Sequence, residues 1–102
     1  MSAGLSEADI PRLNPERVAR MTQLLTDALD PVALEVTDDS HKHAGHAGAR
    51  TGQGHFSVHV VSEAFDGKPP LARHRLVYAA LGSMMQTDIH ALVIQARAPA
   101  ET

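Results

Sequence analysis

His55-Phe56-Ser57-Val58-His59-Val60-Val61-Ser62 is the stretch that decides the fold. Phe56, Val58 and Val60 alternate with His55, Ser57, His59 and Val61, the period of two that puts each set on its own face of a β-strand. Upstream, residues 39–54 have no apolar period and contain Gly45, Gly48, Gly52 and Gly54. That composition predicts a long loop, and ordered loops of such length are usually functional. Before it, Val32, Leu34 and Val36 alternate with Ala33, Glu35 and Thr37, which predicts a half-buried strand antiparallel to the first. Further upstream, Asn14-Pro15-Glu16 combines a capping side chain, a proline at the first helical position and an acid in the first turn. Val18, Met21, Leu25, Ala28 and Leu29 continue it as one apolar stripe, and Asp30-Pro31 ends it. Residues 1–13 read as a flexible leader.

Downstream, Phe65-Asp66-Gly67 and Pro69-Pro70 predict a turn or short helical connection. Leu71, His74, Val77, Tyr78, Leu81 and Met85 are spaced for a helix running to Gln86, which Thr87-Asp88 breaks. The string IHALVIQA (89–96) predicts a third strand, with His90 on the side of Leu92 and Ile94. The order α-β-β-α-β describes a single α+β domain over residues 14–99 with a tail at 100–102. A three-stranded mixed sheet follows, with helices packed on it; a helix between the second and third strands allows them to run parallel.

A chain of 102 residues and 10.9 kDa holds one domain, and 43% hydrophobic with 21% charged residues is an ordinary globular balance. No run approaches the roughly 18 apolar residues of a membrane span. The first residues carry acids where a secretory signal carries bases, so a cytoplasmic location is the default expectation. The chain has no cysteine, which excludes disulfides, a thiolate nucleophile and any iron–sulfur cluster held by its own sulfurs. A net charge of −3 lacks the overall basic excess typical of a duplex-DNA binder. Histidine is the abundant chemical group, with 7 residues.

Catalytic signatures are missing: there is no G-x-S-x-G elbow and no H-E-x-x-H, and Asp38-Asp39 reads as a solvated pair at a strand end. The chain is therefore not expected to be an enzyme. Phosphate loops are absent as well; Gly45-His46-Ala47-Gly48 spells GxxG but lies between predicted strands, not helices. Metal ligation is the chemistry the residues suggest, since imidazole binds zinc, copper, iron and nickel, and His41, His43 and His46 share the long loop. Solvated loop histidines are the plain alternative. By the same reasoning His90 is a hydrogen-bonded, partly buried strand residue, His55 and His59 are sheet-face residues and His74 lies on a helix face. Arg73-His74-Arg75 is a small basic patch suited to a phosphate or an acidic partner.

Together these strings resemble the BolA family: Asp39-Ser40-His41-Lys42-His43, His55-Phe56-Ser57-Val58 through Val61-Ser62, Phe65-Asp66-Gly67, Arg73-His74-Arg75-Leu76-Val77-Tyr78, and Ile89-His90-Ala91-Leu92. The resemblance runs from about Asn14 to Pro99. It implies a class II KH-like fold and a non-enzymatic adaptor that pairs with a monothiol glutaredoxin and shares a bridging [2Fe-2S] cluster, in iron–sulfur trafficking or iron regulation. It implies His90 as the constant ligand and His43 as the loop ligand, with His46 and His41 as alternatives. Glutaredoxin and glutathione would then supply the sulfur ligands. The free chain is expected to be a monomer or weak dimer. The alternative that the resemblance carries is a nucleic-acid-binding regulator of morphology and stress responses, with Lys68, Arg73 and Arg75 facing phosphate.

Overall fold

The central strand alternates as its pattern requires. β2 (Gly54–Val61) is the middle strand of a sheet ordered β1-β2-β3, in a computed structural model that describes residues 10–40 and 54–102. β1 (Ala33–Asp38) pairs with it antiparallel, from Ala33 opposite Val61 to Asp38 opposite Phe56. β3 (Ile89–Arg97) pairs on the other side in parallel, with Leu92 opposite Phe56 and Ala96 opposite Val60. α1 (Ile10–Leu29) precedes the sheet. α2 (Pro70–Leu81) and a one-turn α3 (Met84–Thr87) make the crossover between the parallel strands. Single 3-10 turns at Glu63–Phe65 and Pro99–Glu101 complete the described elements.

One face of the sheet forms the core. Leu34 and Val36, Phe56, Val58 and Val60, and Leu92, Ile94 and Ala96 meet Met21, Leu25 and Leu29 of α1 and Val77 and Leu81 of α2. Each large side chain removed from water there contributes about 1.5–3 kcal/mol before its ordering entropy is counted. The opposite face carries Glu35, Thr37, Ser57, His59, Val93 and Gln95, and Val93 is 59% exposed.

The α+β order and the mixed sheet agree with the sequence reading; four details differ. α1 starts at Ile10, four residues before the predicted cap, and takes Pro15 into its second turn. A proline at that position forfeits one backbone bond, to the carbonyl of residue 11. Asn14 is therefore no cap: it is buried, and its Oδ1 accepts from Arg17 Nη1 at 3.1 Å.

The predicted helix to Gln86 is in fact two helices. Gly82 has φ of +57°, a conformation that glycine adopts without strain, and its N–H closes α2 on the Tyr78 carbonyl at 2.9 Å. In α2 the buried stripe is Val77–Leu81, so Leu71 and Tyr78 lie round the helix at 61% and 42% exposure. Val32, read as the first inward strand residue, precedes β1 and is 68% exposed.

Candidate functional site

The parallel pair breaks step where β3 begins. Gly54 stands opposite Ile89, but His55, the next residue of β2, stands opposite Ala91. One step on β2 thus matches two on β3, and His90 is the extra residue of a β-bulge. Burial follows: Ile89 is buried, His90 and Ala91 are both exposed, and inward alternation resumes at Leu92. This corrects the expectation that His90 shares the side of Leu92 and Ile94 as a partly buried residue. A bulge re-aims one side chain without unfolding the strand, and here it turns an imidazole out to solvent.

Local chemistry fixes the bulge. The Gly54 N–H donates to the Asp88 carbonyl at 2.9 Å. A Cβ at Gly54 would lie 2.5 Å from Phe56 Cε2 and 3.1 Å from Ser40 Oγ, so only glycine lets this ring and hydroxyl close in. Across from it, Arg17 donates from Nε to Asp88 Oδ2 at 3.0 Å, and Thr87 Oγ1 donates to Asp88 Oδ1 at 2.6 Å. Burial pushes the Asp88 carboxyl up, but the hydrogen bonds from Thr87 and Arg17 outweigh it and hold its pKa below the ordinary value. Arg17 thereby ties α1 to the residue two places before His90. The sequence reading passed over it, although residues 14, 17, 21 and 25 lie on one helical stripe and Arg17 occupies a stripe position.

The β1 side supplies the other wall. Asp39 N–H donates to the His55 carbonyl at 2.8 Å, and His55 N–H donates to Ser40 Oγ at 3.0 Å. Ser40 N–H donates to Asp38 Oδ1 at 2.8 Å, and Ser57 Oγ donates to Asp39 Oδ2. The two acids read as solvated are thus half-buried acceptors that shape the end of the strand. Between these walls the rings of His55 and His90 lie with centroids 5.0 Å apart and planes tilted by 54°. His55 is only 5% exposed. His41, His43 and His46 follow Ser40 in the chain and lie outside the described residues.

The basic residues are elsewhere. Arg73 donates from Nη1 and Nη2 to the two oxygens of Glu101 at 2.6 and 2.7 Å, from Nη1 to the Ala96 carbonyl at 3.2 Å and from Nε to the Lys68 carbonyl at 2.7 Å. Ala96 is six residues along β3 from His90, about 20 Å away at strand rise. Lys68 and Arg75 are exposed, His59 is exposed on the outer sheet face, and His74 is half-buried on α2. The structure joins His90 to His55 and keeps both apart from the Arg73 region.

Chemically, the bulge offers one exposed imidazole. No group of three or more His, Cys, Asp or Glu among the described residues is arranged to hold a metal ion alone. With no cysteine in the chain, any thiolate ligand of a metal centre at this site would come from another molecule. No helix among the described residues is long and apolar enough to cross a membrane.

Known proteins show the same domain. Human BolA-like protein 1 is 46% identical over 89 residues, 87% of this chain and 62% of its own length. The Escherichia coli DNA-binding transcriptional regulator BolA is 40% identical over 75 residues, 74% of this chain and 69% of its own. The BolA domain of Arabidopsis thaliana SufE1 superposes with a TM-score of 0.76 at 45% identity, over 84% of this chain and 95% of that domain. The chain spans only part of several such relatives, 24% in the case of the full-length Arabidopsis SufE-like protein 1. The family model described as BolA-like protein matches residues 25–101, from the last five residues of α1 through the last 3-10 turn, and the chain belongs to the BolA family.

Proposed function

We propose that this chain is a non-enzymatic adaptor that pairs with a monothiol glutaredoxin and contributes histidine ligands to a shared [2Fe-2S] cluster. The observation that carries the reading is the bulge at His90, which exposes one imidazole on an otherwise ordered strand end in a chain without cysteine. His90 is the fixed ligand and His43 the loop ligand, with His46 and His41 as its alternatives; glutathione and the glutaredoxin thiolate supply sulfur. Such a cluster, when bound, supplies a one-electron centre whose potential is raised by imidazole ligation. This chain's own residues hold and orient the donor: Gly54, Asp88 and Arg17 keep the bulge formed, and the Asp39–Ser40 turn fixes the neighbouring strand. A cytoplasmic location belongs to the same proposal.

The test is an anaerobic mixture of the chain with a monothiol glutaredoxin, glutathione, iron and sulfide, followed by visible absorption, circular dichroism and light scattering. A one-to-one complex with a cluster spectrum distinct from glutaredoxin alone supports the adaptor. His90→Ala should weaken that complex more than His43→Ala. A spectrum unchanged by either variant overturns the ligand assignment.

A second reading, nucleic-acid binding, is favoured by α2, which carries Arg73, His74 and Arg75 and no acid, and by the name of the E. coli relative. Arg73 already spends its guanidinium on Glu101 and two carbonyls, so Lys68 and Arg75 are the cations left to face phosphate. Two phosphate contacts give a salt slope of about −2 in a log–log plot for duplex DNA. A flat response, or a response indifferent to Lys68→Ala with Arg75→Ala, counts against it.

A further inference from the structure

Among the described histidines, His55 is the buried one, and nothing in the adaptor reading uses it. By strand parity it shares the face of Ser57 and His59, away from the helices. His59 on that face is exposed, whereas His55 is 5% exposed. Its backbone is held on both sides: its carbonyl accepts from Asp39 N–H at 2.8 Å and its N–H donates to Ser40 Oγ at 3.0 Å. A fixed backbone and a covered ring make His55 a stationary surface, and the ring centroid of His90 lies 5.0 Å from its own. The register explains the meeting: the bulge sets His55 opposite Ala91, so the extra residue His90 falls diagonally beside it.

Resting on the adaptor reading, we propose that His55 is a positioning residue, a flat platform that confines the His90 ring to one orientation at the mouth of the bulge. An exposed histidine on a strand otherwise samples several side-chain rotamers, and whatever binds it must first select one. Contact with a buried ring makes that selection in advance. The burial of His55 argues for this role over that of a second ligand, since an incoming group meets the exposed ring first. Aromatic pairing depends on ring shape and offset geometry, so a phenyl ring replaces the platform and an aliphatic side chain does not. Releasing one side chain from such preorganisation should weaken binding through His90 by roughly two- to tenfold.

The experiment has two arms and four chains: wild type, His55→Phe, His55→Leu and His55→Ala. The first arm needs no partner. Histidine-labelled chain is studied by NMR, the His90 signals are identified by their loss in His90→Ala, and three-bond couplings across χ1 report rotamer averaging. Wild type and His55→Phe should show one dominant rotamer, His55→Leu and His55→Ala averaged couplings. The second arm measures loss of the mixed glutaredoxin cluster to a chelator. His55→Leu should speed it two- to tenfold, and His55→Phe should stay within twofold of wild type.

Melting is followed in parallel, with Val58→Ala as a destabilised control that should leave the His90 couplings unchanged. If His55→Ala does not fold, His55→Leu, which keeps an apolar side chain of similar volume, decides the matter. Should His55→Phe behave like His55→Leu in both arms, the imidazole nitrogens are what matter and the platform is overturned. His90 couplings unmoved by all three variants overturn it too. A wild-type chain that forms no mixed cluster, yet shows the predicted coupling pattern, sinks the adaptor and leaves the positioning role standing.

Discussion

The two ends of the β2–β3 pair are finished in opposite ways. At the far end, where the strands close with Val61 and Arg97, every crossing is tied. Ser62 Oγ donates to the Leu29 carbonyl at 2.5 Å and accepts from Ala64 N–H at 3.1 Å, while Ser62 N–H reaches the Arg97 carbonyl at 3.0 Å. Arg73 clamps Glu101, the Ala96 carbonyl and the Lys68 carbonyl in the same region. At the near end the register slips, one histidine is turned out and a second is covered beside it. The sheet is tied at one end and irregular at the other, where an imidazole reaches solvent. The irregular start is tolerated because the rest of the ladder stays in register.

Three substitutions test that division by stability. Gly54→Val should have the largest effect: its Cβ lands inside contact distance of the buried Phe56 ring, and such overpacking costs about 3 kcal/mol. It should also change the His90 NMR signals, because the strain falls on the bulge. Ser62→Ala comes next. It leaves the Leu29 carbonyl and the Ala64 N–H without their partner, a loss of about 2 kcal/mol, read by urea melts, with the His90 signals unmoved. If Ser62→Ala shifts those signals, the two ends are coupled and the division fails.

Arg17→Met, retaining the alkyl stem, should cost about 1 kcal/mol, since Asp88 keeps a third of its surface in water. Its distinguishing effect is local: faster amide exchange at Gly54, whose N–H bonds the Asp88 carbonyl. Uniform exchange across all three strands would show that Arg17 stabilises the whole fold and not the bulge.

Much of this was legible in the sequence because it depends on periodicity. HFSVHVVS, the alternation around Leu34 and Val36, and the Met21–Leu25–Leu29 stripe each set a face, and those faces meet in the core. The string Ile89-His90-Ala91-Leu92 draws attention to His90, but the period of two assigns it to the side of Leu92 and Ile94, whereas the bulge turns it to solvent. A bulge has no periodicity to read. It arises from Gly54 meeting Asp88 across thirty-four positions of sequence, and only the tertiary register reveals it. The Arg17–Asp88 pair was equally hidden, being a contact between the first helix and the last strand's entry. The Gly82 break in the second helix left a local signal, a glycine within an apolar stripe, which the spacing of Leu81 and Met85 masked.

The smallest expected effect tests whether the tied end is tied by charge. Glu101 takes both arms of the Arg73 guanidinium and a hydrogen bond from Ala98 N–H, and these hold its carboxyl at about 2 against an ordinary 4.5. A carboxyl whose pKa is lower in the folded chain than in the unfolded one binds its proton more readily when unfolded, so its contribution rises with pH. That contribution is complete above about 4.5 and is lost as pH falls toward about 2. Glu101→Gln should therefore melt below wild type at pH 7 and at pH 5, and the gap should narrow through pH 3 and close near pH 2. Both carboxyl and guanidinium reach solvent, so the gap at pH 7 should also shrink in molar salt. A gap that persists unchanged at pH 2 would mean that the glutamate's hydrogen-bonded shape, and not its charge, closes this end of the sheet.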